Sequence, residues 1–236
     1  MKTAIVTLTR GYQNLQHYNS LIQRNISAHK YINAKKTHDV IIFHEGNIPL
    51  GHQDYIKERS GNLDMQFTDI GPVWSGGYAG MCRFYSYDMW NYLRDYDYIM
   101  RIDEDCVVTR SDIDPFSYIG NNVFLKTASW EESHQPTNST LPAFIEKITG
   151  IQPSHFYLHQ FPYTNVCLSS VSFWLSDEIN KVLKQIATDN MQITHRWGDL
   201  PVLGSLLNIY APDRVGLFTN FEYTHASHNN TVIRCI

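Results

Sequence analysis

Residues 96–105 read Tyr-Asp-Tyr-Ile-Met-Arg-Ile-Asp-Glu-Asp, an aromatic and apolar strand that runs into three consecutive carboxylates, Asp103, Glu104 and Asp105. Alternate side chains of a strand share a face, so the spacing predicts Asp103 and Asp105 pointing the same way beyond the strand's end. Two hard oxygen ligands on one edge suit Mn²⁺ or Mg²⁺, with diphosphate oxygens and water completing an octahedron. A solvated acidic turn is the plain alternative, and Asp-x-Asp alone does not separate the two.

Four further clusters carry chemistry. Thr7-Leu8-Thr9-Arg10-Gly11 closes the first strand, where Thr9 and Arg10 could meet a nucleotide and its phosphates, because ligands of open α/β sheets sit beyond the carboxyl ends of the strands. The segment is neither G-x-G-x-x-G nor a Walker loop, which argues against a dinucleotide cofactor and a P-loop enzyme. Ser75-Gly76-Gly77-Tyr78-Ala79-Gly80-Met81-Cys82-Arg83-Phe84 is a flexible loop entering a helix, whose first amides and Arg83 could hold an anion. In His195-Arg196-Trp197-Gly198-Asp199-Leu200-Pro201-Val202, a tryptophan beside a carboxylate fits a sugar's C–H face and hydroxyls, while Asp199 could equally cap a helix. Tyr223-Thr224-His225-Ala226-Ser227-His228 offers an imidazole to a metal from a distant part of the chain.

Alternating strand and helix signals must position these groups, and they argue for an α/β domain. Strands are expected at Lys2–Thr9, Asp39–Phe43, Leu63–Thr68 and Asn122–Thr127, besides the acidic one at Tyr96–Asp105. Helices are expected at Asn14–Lys30, Gly80–Leu93, Asp177–Ala187 with Ser176 as N-cap, and from Gly198 to Ile209, with a short one between His44 and Gly61. Asn165–Leu175 reads as one strand or two. Glu131–Pro162, with four prolines, reads as long loops around a short helix near Leu141–Thr149.

With 236 residues, 43% hydrophobic and 13% aromatic, the chain can bury a large core, and the absence of a composition break favours one compact domain over residues 1–236. Nineteen basic against 23 acidic residues give a formal charge of -4 without a basic stripe, which speaks against a nucleic-acid partner. The apolar run at Ala4–Leu8 is too short for a signal peptide's core or a membrane span. Cys82, Cys106, Cys167 and Cys235 form no C-x-x-C pair, so buried free thiols are expected, a disulfide being open to them in an oxidising compartment. Asn25-Ile26-Ser27, Asn138-Ser139-Thr140 and the triplet starting at Asn229 match the N-glycosylation pattern.

Taken in order, Thr7-Leu8-Thr9-Arg10, Tyr78-Ala79-Gly80-Met81-Cys82-Arg83-Phe84, Tyr96-Asp97-Tyr98 with Arg101-Ile102-Asp103-Glu104-Asp105, Arg196-Trp197-Gly198-Asp199-Leu200-Pro201-Val202 and Tyr223-Thr224-His225 resemble glycosyltransferase family 15, the fungal alpha-1,2-mannosyltransferases. The resemblance spans nearly the whole chain and looks like a short, divergent member. It implies a GT-A-type fold, a mixed central sheet flanked by helices, with a nucleotide-binding half at about 1–105 and an acceptor-binding half at 106–236. It also implies metal ligands at Asp103, Asp105 and His225, active-site roles for Tyr78 and Asp199, and nucleotide-sugar contacts from Thr9, Arg10, Arg83, Asp103 and Trp197.

The activity that the resemblance implies is Mn²⁺-dependent (or Mg²⁺-dependent) transfer of a sugar, mannose by resemblance, from GDP-mannose to a hydroxyl of a glycan or glycoprotein, with retention at the anomeric carbon. A UDP-sugar donor and a carbohydrate-binding protein without turnover are the alternatives. Where the family carries a candidate glutamate nucleophile this chain has Trp174, with Glu178 four residues on, and His195 replaces the family's Glu before R-W-G-D. Members are usually anchored in the Golgi membrane by an amino-terminal helix. None is present here, so a soluble, cytoplasmic enzyme is expected, with the Golgi lumen as the place of a trimmed domain.

Overall fold

The computed structural model describes residues 1–151 and 161–235. Seven strands form the central sheet: β1 (Thr3–Leu8), β2 (Asp39–His44), β3 (Gln66–Asp69), β4 (Tyr98–Ile102), β6 (Phe124–Lys126), β9 (Val166–Ser170) and β10 (Val215–Leu217). Their order is β10-β6-β9-β4-β1-β2-β3. β1 is parallel to β2 and β4, β2 to β3, and β6 to β10, while β9 runs antiparallel between β4 and β6. Every residue of β1 is buried, as a β-branched strand covered on both faces should be. Alternation sorts its side chains: Ala4, Val6 and Leu8 pack with Trp90, Trp174 and Trp197 on one face, and Ile5 packs with Met100 and Ile102 on the other.

A second sheet stands at the end of the first. In it β5 (Cys106–Ser111), β11 (Phe221–His225) and β12 (Thr231–Cys235) pair antiparallel in the order β12-β11-β5. A two-stranded ladder joins β7 (Ser129–Trp130) to β8 (Phe161–Pro162).

The helices are α1 (Asn19–Tyr31), α2 (Leu50–Arg59), α3 (Gly77–Arg83), α4 (Met89–Tyr92), α5 (Gln135–Thr149), α6 (Val171–Trp174), α7 (Asp177–Thr188), α8 (Met191–His195) and α9 (Asp199–Tyr210). A π-turn at Phe84–Asp88 joins α3 to α4, so the helix expected at Gly80–Leu93 exists but is underwound in its middle. Gly204 of α9 packs so closely on β8 that a Cβ there would sit 2.4 Å from the Phe161 ring.

Three readings change. The acidic strand ends at Ile102, and Asp103–Asp105 form a turn into a different sheet. Asn165–Leu175 is one strand followed by the short helix α6. The loop expected at Glu131–Pro162 contains a 15-residue helix, α5. Pro136 lies in its first turn, where no backbone donor is needed, and burial of Thr137, Leu141 and Ile145 offsets the bond that Pro142 forgoes. The part of that loop at 152–160 lies outside the described residues. Asn25 lies on the buried face of α1, out of reach of glycosylation. All four cysteines are buried free thiols.

Candidate active site

The centre of the site is the turn between the sheets. The Asp103 amide donates to the Asn165 carbonyl, and the Cys106 amide closes the turn on the Asp103 carbonyl, at 2.9 and 3.0 Å. A turn does not alternate like a strand, so the three carboxylates fan out instead of sharing a face. Asp103 accepts two bonds from Arg101, Nε at 2.7 Å and Nη2 at 3.0 Å. Glu104 accepts from the Thr9 hydroxyl, and from the Tyr12 hydroxyl at 2.8 Å. Asp105 faces the carboxyl-terminal sheet.

Asp105 meets His225 because β5 and β11 pair in a register that sets His225 opposite Cys106. The His225 Nε2 lies 3.3 Å from Asp105 Oδ2. Its Nδ1 lies 2.9 Å from the Tyr163 hydroxyl and 3.0 Å from the Asn165 side-chain nitrogen, which orients the ring with Nε2 toward the carboxylate. Burial works to raise the Asp105 carboxyl, but hydrogen bonds from His225 and Ser227 hold it down at about 2, so it is ionised at neutral pH.

Asp105, Cys106 and His225 are the three groups whose ligand atoms come within 4.8 Å of one another among the described residues. Burial pushes the Cys106 thiol well above its ordinary range, leaving a poor protonated ligand beside one ionised carboxylate oxygen and one imidazole nitrogen. That oxygen and nitrogen suit Mn²⁺ or Mg²⁺. Asp103 stands apart from this group, and it would have to release Arg101 to join it.

Arg101 is the residue that sequence reasoning passed over. The residue is 4% exposed, and its guanidinium bridges Asp103 to Asp199 and lies over the Tyr85 ring at 3.3 Å. Burial opposes its charge, but the two carboxylates hold it firmly protonated. Burial likewise raises Asp103 in spite of Arg101. The signal was present: an arginine inside an otherwise apolar strand, two residues before an acid, implies a buried pair. Asp199 is the first residue of α9, with Gly198 as N-cap, so its charge also meets the positive end of that helix.

The other predicted residues fall on both sides of this network. Tyr78 is half exposed, its hydroxyl reaches toward Gly198, and burial together with Cys82 and Asp199 keeps the phenol protonated. Arg10 is exposed and stacks on Trp74 at 4.0 Å, at the carboxyl end of β1. Thr9 is fully buried and spends its hydroxyl on Glu104, so it supports the turn and does not face a nucleotide. Arg83 pairs with Asp88 at 3.3 Å and Asn190 at 3.4 Å. Trp197 corrects its reading as a sugar platform. It is 0% exposed, donates to the Thr140 hydroxyl at 2.9 Å and packs against Phe144, so neither ring face is free. An indole this large stabilises more by filling the core than by lying open.

The parallel run β4-β1-β2-β3, the acidic turn at its carboxyl edge and the antiparallel strand β9 across it make this a GT-A-type architecture. No protein-family model matches the chain. Glycolipid 2-alpha-mannosyltransferase 1 of Candida albicans is 24% identical over 177 residues, covering 66% of this chain and 41% of that protein. The chain thus spans about two fifths of the length of the curated relative it matches. Two solved structures share the fold. Core-mannan synthase A from Aspergillus fumigatus, in an Mn/GDP form, has TM-score 0.80 and 16% identity, covering 95% of this chain and 74% of that one. The mannosyltransferase Ktr4p from S. cerevisiae, in complex with GDP, has TM-score 0.80 and 16% identity, covering 95% and 71%. The resemblance to glycosyltransferase family 15 is borne out at this level: the chain is similar in sequence to one fungal mannosyltransferase and shares the GT-A-type fold of two others.

Proposed function

We propose that this protein is a metal-dependent glycosyltransferase that moves a sugar, mannose first among the candidates, from a nucleotide-diphosphate donor to a glycan hydroxyl with retention. The observation that carries the reading is the Asp105–His225 pair, drawn from segments 120 residues apart and set 3.3 Å from each other beyond the carboxyl end of β4. The names of the relatives support mannose, and the GDP in two related structures supports a guanine nucleotide.

Asp105 Oδ2 and His225 Nε2 would hold Mn²⁺ or Mg²⁺, which when bound supplies positive charge to the departing diphosphate. Arg10, exposed at the end of β1, is placed to add charge to the same phosphates. The Arg101 network fixes Asp103 and Asp199 as a rigid, ionic floor, which limits reorganisation as oxocarbenium charge develops at the sugar. Tyr78, a protonated phenol beside that floor, is available to donate a hydrogen bond to donor or acceptor oxygens. No helix among the described residues is long and apolar enough to cross a membrane.

The test is release of nucleotide from a panel of nucleotide sugars with Mn²⁺ added and removed. GDP from GDP-mannose, lost on chelation and in His225→Ala, is the expected result. Release of UDP from a UDP-sugar would move the donor while keeping the class, and glycan binding without any nucleotide release would replace the transferase by a lectin.

A further inference from the structure

Of the five tryptophans, Trp90, Trp174 and Trp197 are buried and Trp74 carries Arg10 on its face. Trp130 is different: it is 49% exposed. Its ring stacks on Tyr163 at 5.3 Å with an interplanar angle of 18°, leaving the opposite face to solvent. His228 stands edge-on to both rings, at 5.7 Å from Trp130 and 6.0 Å from Tyr163. The group is continuous with the candidate metal site, since the Tyr163 hydroxyl lies 2.9 Å from His225 Nδ1 and the His225 and His228 rings lie 4.5 Å apart.

Burying such a ring would stabilise the chain, so a half-exposed one held by two aromatic neighbours beside a polar site is a binding surface by its cost. Its backbone is fixed as well: Trp130 pairs with Phe161 across β7 and β8, and the Tyr163 amide donates to the Ala128 carbonyl at 2.9 Å. A pre-set aromatic platform loses little entropy on binding.

Two ligand chemistries stack on indole, a nucleobase and the C–H face of a sugar. Topology chooses between them. Arg10 and Trp74 lie at the ends of β1 and β3, on one side of β4, whereas Trp130 follows β6, on the other side of β4 in the sheet order. The segment after Trp130 leads back to the site, because Glu132 is near enough to Tyr78 to help keep its phenol protonated. We propose that Trp130, backed by Tyr163 and edged by His228, is the platform for a sugar ring of the acceptor. This rests on the transferase reading and gives that reading a specificity-determining residue.

The experiment is a tryptophan-fluorescence titration with methyl α-mannoside, methyl α-glucoside and methyl α-galactoside, run in the presence of Mn²⁺ and GDP. A saturable change is expected with at least one glycoside, and its affinity, compared across variants by calorimetry because the substitutions remove the reporting indole, should be weakened about tenfold or more in Trp130→Ala and stay within a few-fold of wild type in Trp130→Phe. Mn²⁺-dependent GDP binding, measured by calorimetry, should be the same in all three proteins, and the KM for a glycan acceptor should rise in Trp130→Ala with little change in nucleotide release to water. Unaltered glycoside affinity in Trp130→Ala, or no saturable response in wild type, overturns the platform. Failure of wild type to bind either GDP or UDP with Mn²⁺ overturns the transferase reading instead, and the glycoside titration then still decides what Trp130 holds.

Discussion

At the scale of single residues the decisive feature is an arginine serving two acids. Arg101 donates three hydrogen bonds to Asp103 and Asp199; it and Asp199 are buried, and Asp103 is partly so. Removing it leaves the buried Asp199 and the partly buried Asp103 without a counter-charge, and breaking the buried Arg101–Asp199 pair costs about 3–5 kcal/mol. Arg101→Met is therefore expected to lower the unfolding midpoint in denaturant sharply, and Asp199→Asn, which retains a hydrogen-bond acceptor, to lower it less. Equal stability of Arg101→Met and wild type would mean that the network is not formed. Arg24 shows the same economy on the opposite face of the sheet. Fully buried, it donates to the carbonyls of Val6 and Ile102, so it ties β1 to β4 just before the acidic turn, and burial pulls its guanidinium down to about 10.

At the scale of elements, strand ends and the turns after them decide which groups reach the site. β2 ends at His44, whose Nδ1 accepts from the Gly46 amide at 3.1 Å. Gly46 has φ +74°, and a Cβ there would lie 2.6 Å from Asp69, so the turn demands glycine. The turn presents Glu45, which accepts from the amides of Val73 and Trp74 and so sets the Trp74 ring on which Arg10 lies. Burial depresses the His44 pKa below its ordinary 6.5. The unfolded chain then binds the proton more readily than the folded one, and stability is kept above about pH 6.5 and lost as pH falls below it. Thermal midpoints measured between about pH 7 and pH 5 should fall, with a smaller slope in His44→Gln. An unchanged slope would assign the acid sensitivity to other groups.

At the scale of the whole molecule, the two sheets meet at one turn, so the central sheet and the carboxyl-terminal sheet can act together only while both are folded. If one ion bridges Asp105, His225 and a diphosphate, Mn²⁺ and GDP must each raise the other's affinity by the same factor. Calorimetric titrations in both orders should return that equality, and the pair should raise the melting temperature more than either alone. Saturation at a hundred times Kd is worth about 2.7 kcal/mol. His225→Ala should abolish the coupling while leaving the fold intact, and independent binding of ion and nucleotide would place the ion away from the phosphates.

Much of this was open to the sequence by itself. The β-branched runs at β1 and β2, the periodic stripe of α1 and the apolar approach to Asp103 determined an α/β sheet with acids at a strand's end, because local patterns of period 2 and 3.6 are set by neighbours in the chain. The order of the motifs also pointed to a GT-A-type relative of fungal mannosyltransferases, and to His225 as a companion of Asp105. What only the tertiary structure decided is which partner each charged group takes. The strand stops at Ile102, so Asp103, Glu104 and Asp105 diverge to Arg101, Thr9 with Tyr12, and His225. Trp197 is core and Trp130 is open, although both are tryptophans beside an acid in sequence. Pairings between residues 98 or 120 positions apart follow from strand register and from the order of strands in the sheet, and no local pattern of residue types encodes those.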